Sequence, residues 1–550
     1  MRVAGKRWDL RRLRGFIPLF PPLEHRHDPS QNHVVALGLA GARLNHAPAK
    51  PIMILGCTSD AGKSFLVTAL CRHFSNRGLK VAPFKAQNMS NNAAVTSEGL
   101  EMGRAQYVQA LAARITPQVR MNPVLLKPGS DTSSQVIVLG KFDPEISALP
   151  WMERKARLWP IVCQSLHSLL SETDQLVIEG AGSPAETNLR ASDIVNMSVA
   201  LECRADAYLV ADIDRGGAFA HLLGTWLLLE PEERALIKGF VLNKFRGDPA
   251  LLGDAPRQLQ DRTGVPVVAI IPKIRHALPE EDALHHRASF STDAINIALI
   301  AYPYASNLDE FDPLIRENGV NVIPVRDFTS LGNYRAILLP GSKNTGESLR
   351  HLRETGLAAE IVRAAGNGIP VFGVCGGMQL LGKHILDPHG LEGGDATGLG
   401  LLDLITTLDP GKITRRREAR WTEGGVVRGY EIHHGRTQPG PLAKVHLEEK
   451  MGWQQGNVWG VYLHGLFENT AYRQIFLERL DWRGETEDWT VRLDLEIDRV
   501  SRLVESSGWA MEIERTAMPD RECFQTTSPP DPSRDPCPDS AWANRRPALP

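Results

Sequence analysis

The sequence predicts an α/β protein built as two successive parallel-sheet domains. Three observations carry that reading. Short apolar runs of β-like composition alternate with amphipathic stretches of helical period through most of the chain. The first such series opens with an apolar run, a small-residue loop and Gly62-Lys63-Ser64 leading into a helical pattern. A second series contains an apolar run that stops at Cys375-Gly376-Gly377 and again passes into a helical pattern.

In order, the first series of expected strands is Ile52–Leu55, Val81–Phe84, Val136–Leu139, Leu176–Ile178, Ala207–Val210, Phe240–Leu242 and Val267–Ile271, and such alternation implies a parallel sheet with helices on both faces. The polar stretch Pro272–Asp293 interrupts the rhythm. A second series follows at Ile295–Ile300, Val320–Val325, Ala336–Leu339 and Val371–Val374. After Gly398 the pattern becomes shorter and strand-like (Gly425–Ile432, Val458–Leu463), then closes with a helix over Asn469–Leu480. The expected organisation is a mobile extension over 1–49, a first domain over 50–275, a linker over 276–293, a second domain over 294–490 and a C-terminal segment over 491–550 that is largely disordered tail. From Thr516 onward that segment is rich in Pro, Ser and Asp and has little to bury. At the other end, Arg11, Arg12 and Arg14 precede Pro18, Pro21 and Pro22 with no uninterrupted apolar region, and Asp9, Glu24 and Asp28 weaken an organelle-targeting reading.

Composition narrows the function. The 550 residues are 42% hydrophobic and 23% charged, and 62 basic against 64 acidic side chains leave a formal net charge of -2. A nucleic-acid scaffold held by bulk positive charge is disfavoured. Apolar runs such as Ala294–Ala301 fall far short of the roughly 18 residues that read as a membrane span. The 7 cysteines form no CxxC pair, which argues against a disulfide framework or structural zinc and favours a reducing cytoplasm.

The loop Gly56-Cys57-Thr58-Ser59-Asp60-Ala61-Gly62-Lys63-Ser64 stands between a strand and a helix, the context of a phosphate-binding P-loop. Phosphate binding needs a backbone that turns tightly enough to aim several N–H groups at one oxygen cluster. Gly56, Ser59 and Gly62 supply that turn, Lys63 would neutralise the β- and γ-phosphates, and the Ser64 hydroxyl would sit on Mg²⁺. Cys57 occupies the place of the usual first glycine, a departure that resembles the dethiobiotin synthetase-like branch of P-loop enzymes. Glu179 leaves an apolar run into Gly180-Ala181-Gly182 and is a candidate second ligand for the metal; an ordinary strand-end glutamate would look the same. Lys85 follows Val81–Phe84 and could reach the γ-phosphate, and Asn243 follows Phe240–Leu242 and could read the base edge.

Cys375 fits a nucleophile elbow, a strained strand-to-helix turn that small neighbours permit and that exposes the side chain. The following helix start favours thiolate. A thiol nucleophile needs a base, and His464, ending Trp459–Leu463, is the candidate; His433 and His434 compete with it. Leu339-Pro340-Gly341-Ser342-Lys343 could donate backbone N–H groups to an oxyanion.

Many further blocks match one family in order: Lys85-Ala86-Gln87-Asn88-Met89-Ser90, Met121–Pro128, Glu179–Glu186, Asp212-Ile213-Asp214-Arg215-Gly216-Gly217, Asn243–Asp248, Leu339–Thr345 and Tyr462-Leu463-His464-Gly465. From about residue 51 to 480 the chain resembles the glutamine-dependent cobyric acid synthases of cobalamin biosynthesis. The resemblance implies a P-loop synthetase domain that uses ATP and Mg²⁺, followed by a class I glutamine amidotransferase domain. It further implies a corrinoid substrate, adenosylcobyrinic acid a,c-diamide, amidated on its b, d, e and g side chains with nitrogen from glutamine. Cys375 takes the place of the family's nucleophile and His464 that of its histidine. Many class I glutaminases carry a Glu two residues after this His, where Leu466 stands here, so a Cys–His dyad is expected. The expected partners are the corrinoid, glutamine and ATP, with no nucleic acid and no membrane; self-association into a homo-oligomer stays open.

Two alternatives remain at this stage. Cobyrinic acid a,c-diamide synthase couples the same chemistries, though Gln87-Asn88-Met89 and Asp214–Gly217 favour the first reading. A ParA/MinD-like nucleotide switch would have no use for Cys375 and His464. Arg190, Arg215 and Arg246 follow expected strands, where ligands of open α/β sheets bind, and could meet substrate carboxylates. Arg415-Arg416-Arg417 reads as a solvated loop.

Overall fold

A computed structural model describes residues 49–128, 134–279 and 290–517. The mobile extension expected over 1–49 falls outside these residues except for its last position, as do the middle of the expected linker and the tail beyond 517.

The first sheet has six parallel strands in the order Val267–Pro272, Ile237–Phe245, Asp206–Asp212, Ile52–Gly56, Gln175–Glu179 and Val81–Phe84. Ile52–Gly56 is buried throughout and lies in the middle, as expected for a strand covered on both faces. The loop after it therefore opens at the C-terminal edge of the sheet, between Gln175–Glu179 on one side and Asp206–Asp212 on the other, the usual ligand position of such sheets. Val136–Leu139 does not join this sheet. Its strand, Ser134–Val138, pairs antiparallel with Val124–Pro128 in a separate four-stranded sheet. The apolar run was recognisable, but β-branched composition does not encode which partner it takes.

The second sheet runs Val320–Val325, Ile295–Ile300, Ala336–Leu339, Val371–Val374 and Val458–Val461 in parallel, then Gly452–Gln455 and Lys444–Leu447 antiparallel at its edge. From this domain a long antiparallel hairpin, Leu404–Arg420 with Val426–Pro439, reaches the first. Arg415–Arg417 lie in its first strand, which corrects the solvated-loop expectation. Arg415 and Arg417 both donate to Glu431 at 2.9 and 2.8 Å, while Arg416 donates to the Val95 carbonyl at 3.0 Å and to the Tyr107 hydroxyl of the first domain. Alternate residues of a strand share a face, so one carboxylate serves Arg415 and Arg417 while Arg416 points the other way.

The segment beyond 490 also departs from expectation. Helices Trp489–Ser506 and Trp509–Ala517 return to the first domain, where Leu493, Ile497, Val500, Val504 and Trp509 share a core with Leu66, Leu70 and Phe74 of the P-loop helix Lys63–Asn76. The buried Arg72 of that helix donates to Asp498 at 3.1 Å and to the Ala112 carbonyl at 2.9 Å. Apolar residues at 493, 497, 500 and 504 have the helical period, and the Pro-rich composition sets in only past this stripe.

Between the two domains the buried Glu101 pairs with Lys127 of its own domain and Lys412 of the hairpin. Although burial opposes its charge, these lysines hold Glu101 well below the usual carboxylate range. Burial and Lys127 push the nearby Lys343 down to about 8.

Candidate active site

At the phosphate centre, Gly62 adopts φ 92 and caps the helix that begins at Lys63, a left-handed conformation that favours glycine. A Cβ on Gly56 would lie 2.7 Å from the Thr58 carbonyl oxygen, so the tight turn of the loop backbone needs glycine there. Lys63 Nζ donates to the Thr58 and Gly182 carbonyls, each at 3.2 Å, which spans the loop with one cation. Ser64 Oγ and Lys85 Nζ each donate to Glu179 Oε1 at 2.8 Å, and Gln109 holds the other oxygen. Burial disfavours the Glu179 charge, yet Lys85, Gln109 and Ser64 together keep its pKa below the ordinary value. A hydroxyl beside an ionised carboxylate at a phosphate loop fits Mg²⁺, a hard ion that takes the rest of its shell from water and phosphate oxygens. The residues present therefore suit the metal.

Asn243 is 3% exposed and donates to the Ala61 carbonyl at 2.8 Å. It braces the loop from behind, and its neighbour Lys244 is the one that lines the open cavity. Cys57 is buried, and burial pushes its thiol up to about 11 despite Thr225 and Lys63, so it acts as a small packing residue.

A cavity of about 1410 Å³ extends from this loop. Small-molecule sites usually fall at roughly 300–1,000 Å³, so there is room for a nucleotide and a second bulky ligand. Its walls include Gln87–Asn92, Trp151 and Leu189, together with Ala305 and Leu308 of the second domain. Met89 is 54% exposed there, an apolar surface that a large ligand would cover. Arg190 and Arg215 line the cavity but are already engaged, Arg190 with Glu230 at 2.7 Å and Arg215 with Asp60 at 3.0 Å. Arg246 lies outside the lining residues and pairs with Asp214.

The thiol centre forms at the end of Val371–Val374. Cys375 has φ 53 and ψ -107, a positive φ that a non-glycine residue adopts only under constraint. Its N–H donates to Val461 O at 2.7 Å, and the loop after Leu339 presses on the turn from the other side. A Cβ on Gly377 would fall 2.1 Å from Leu339 O and one on Gly376 2.5 Å from Ser342 N, so both glycines are required by close approach. Ser342 thus brings a backbone nitrogen to the elbow, whereas the Lys343 N–H is taken by Tyr304 O at 3.0 Å.

His464 is 1% exposed, and its Nδ1 lies 3.1 Å from Glu310 Oε2. Among the described residues its Nε2 makes no hydrogen bond, while the Cys375 thiol faces the Ile432 carbonyl at 3.5 Å. Burial opposes a charge on this ring, but Glu310 and Cys375 raise its pKa to about 10. The expected dyad is therefore extended by Glu310, which comes from a turn after the first strand of the domain rather than from the position of Leu466. The two competing histidines are held differently from His464. His433 stacks on Tyr462 at 3.7 Å and has Glu431 and Gly435 O on its two nitrogens. His434 contacts Asp409 O through Nδ1, and burial pushes it down to about 4.

Two family models match the chain: the CobQ/CobB/MinD/ParA nucleotide-binding domain over residues 52–284, and the CobB/CobQ-like glutamine amidotransferase domain over 296–472. Over 445 residues the chain is 56% identical to the cobyric acid synthase of Deinococcus radiodurans, covering 78% of this chain and 93% of that protein. The cobyric acid synthase of Albidiferax ferrireducens is 50% identical over 486 residues, 83% of this chain and 97% of that one. The chain belongs to the cobyric acid synthase family. As a member of that family it is an ATP-dependent, glutamine-hydrolysing amidoligase. Among the described residues no helix is long and apolar enough to cross a membrane.

Proposed function

We propose that the chain amidates the b, d, e and g carboxylates of adenosylcobyrinic acid a,c-diamide to give adenosylcobyric acid, by way of acyl phosphates and ammonia released from glutamine. The observation that carries this reading is the meeting of two kinds of chemistry in one body. A phosphate loop opens into a cavity whose far wall, at Leu308, is two residues from the Glu310 that orients His464.

A carboxylate is a poor electrophile because its leaving group would be oxide, so it must first take a phosphoryl group. Lys63 and Lys85 stand at the loop to neutralise charge on the transferring group. Ser64 and Glu179 would hold Mg²⁺, which when bound supplies further neutralisation of phosphate oxygens. At the thiol centre Cys375 gives its proton to His464 Nε2 as the sulfur attacks the glutamine amide carbon, and the ring passes that proton to the departing ammonia; water then gives a proton to the same nitrogen as it hydrolyses the glutamyl thioester, and the proton returns to the leaving thiolate. Glu310 keeps the Nδ1 proton in place throughout. Ammonium in bulk water is mostly protonated and not nucleophilic, which gives a reason for making ammonia inside the same molecule. The test is product mass after incubation with the diamide, ATP and glutamine. Four successive, equal decrements are expected; no decrement with the diamide, together with two on the unamidated acid, would support a diamide synthase instead.

A further inference from the structure

Three buried amides meet at Gly103, between the two centres. Gly103 pairs in register with Ala93. The Ala93 carbonyl accepts the Tyr430 hydroxyl at 3.0 Å, and the Tyr430 ring is stacked on the His464 ring at 5.3 Å. The Ala93 N–H donates at 3.0 Å to Asn307, which also borders that imidazole. Gly103 is thus one strand away from the side chains around the base. Towards the other centre, Asn122 accepts the Gly103 N–H at 3.0 Å through Oδ1 and donates to the Lys85 carbonyl at 3.1 Å through Nδ2, and Lys85 is the lysine that holds Glu179.

A Cβ on Gly103 would lie 2.6 Å from Gln106 Oε1, 2.8 Å from Asn88 Nδ2 and 3.0 Å from Asn122 Oδ1, so the bare glycine is what lets the three amides converge. Asn88 also lines the large cavity. Gln106, on the helix Arg104–Ala112, is 0% exposed, yet among the described residues neither its Oε1 nor its Nε2 has a hydrogen-bond partner. An amide buried with both ends unmet is destabilising, and a leucine would fill the same space without that cost. Such a group calls for a small ligand that accepts from Nε2 and donates to Oε1. Ammonia, with one lone pair and three N–H bonds, does both. Ammonium has no lone pair to accept from Nε2, and three neutral amides offer nothing to balance its charge.

We propose that Gln106 is a binding residue for neutral ammonia, holding the nitrogen released at Cys375 beside the cavity in which the acyl phosphate forms. The proposal rests on the function proposed above and names a residue that receives its nitrogen.

The full chain is given the corrinoid diamide, ATP, magnesium and glutamine labelled with heavy nitrogen in its amide, in a buffer containing unlabelled ammonium salt. Label in the product is measured per glutamate released, for wild type, Gln106→Leu and Gln106→Glu, and amidation from saturating ammonium salt alone is followed in parallel. Gln106→Leu should lower the label per glutamate by roughly five- to tenfold, the worth of one hydrogen bond to a small ligand. Gln106→Glu keeps the size and an acceptor but cannot donate to a lone pair, and it should move the ratio in the same direction. Glutamate release and ammonium-driven amidation should persist in both, since solvent ammonia enters by the open cavity, and the thermal midpoint of Gln106→Leu should not fall. The proposal is overturned if either folded variant keeps the wild-type label per glutamate, the result expected of a site that holds water only. It is also overturned if glutamine-driven and ammonium-driven amidation fall together, the mark of a structural role. A wild type that forms no amide from either nitrogen donor would instead fail the functional reading itself.

Discussion

The phosphate centre and the thiol centre depend on their surroundings to different degrees. Gly62, Lys63 and Ser64 come from one loop, and the groups completing it, Lys85, Gln109 and Glu179, belong to the same domain. Cys375, His464 and Glu310 are brought together from three distant segments, and the groups that border His464 are held by Ala93 of the other domain. The first centre is internally complete. The second has its reactive groups within one domain but is bordered by side chains that the other domain holds.

The largest effects that would break this comparison come from removing one reactive group at each centre. Lys63→Ala should abolish product with either glutamine or ammonium salt, because activation precedes nitrogen transfer. Cys375→Ser should abolish glutamine use while ammonia-driven amidation continues at mildly alkaline pH. Parallel assays with the two nitrogen donors check both, and loss of ammonia use in a folded Cys375→Ser protein would show that the first centre is not self-sufficient.

Glu310→Gln should lower glutamine-driven turnover by roughly 100-fold through misplacement of the imidazole. The pH profile supplies the sign. Glu310 raises the His464 pKa, so its loss lowers that pKa, and the alkaline limb of glutamine hydrolysis should move to lower pH as the imidazolium is lost earlier. An unshifted limb would remove Glu310 from the proton pathway.

Glu179→Gln keeps shape and removes charge. It should weaken the apparent magnesium affinity about 10-fold or more, read from a magnesium titration of amidation, and leave basal glutamate release unaltered.

The smallest effect on chemistry is expected from Trp509→Ala. This side chain is 1% exposed and meets the Tyr208 ring edge-on at 5.4 Å. Truncation should cost about 3–5 kcal/mol, seen as a lower Tm, with activity per folded molecule preserved.

The sequence was most legible where physics demands neighbouring residues. A phosphate cradle needs consecutive backbone N–H groups, and a nucleophile elbow needs glycines beside the cysteine, so Gly62–Ser64 and Cys375–Gly377 could be read directly. Glu310 could not, because orienting an imidazole needs a carboxylate at a point in space and places no condition on sequence distance. The one available signal was its setting, Asp309-Glu310 within the apolar turn Leu308–Phe311, where a buried acid calls for a partner. Asn243 shows the converse: its strand-end position was readable, but whether it faces ligand or loop depends on the Ala61 carbonyl behind it. The arginines at 415–417 misled because a charge run suggests solvent, whereas Glu431 and Tyr107 wait for them across a strand pairing and a domain boundary.

The return of Trp489–Ser506 and Trp509–Ala517 to the P-loop helix has a consequence for biosynthesis. On the ribosome the P-loop helix is made early, yet its face at Leu66, Leu70 and Phe74 stays uncovered until Leu493, Ile497, Val500 and Val504 have emerged. The whole amidotransferase domain is translated in between. A nascent or truncated chain that carries the nucleotide loop without its ammonia supplier therefore exposes an apolar stripe, the kind of surface on which chaperones and proteases act. Elements translated after the amidotransferase domain close the first domain, so the order of translation discourages a stable synthetase half from existing alone.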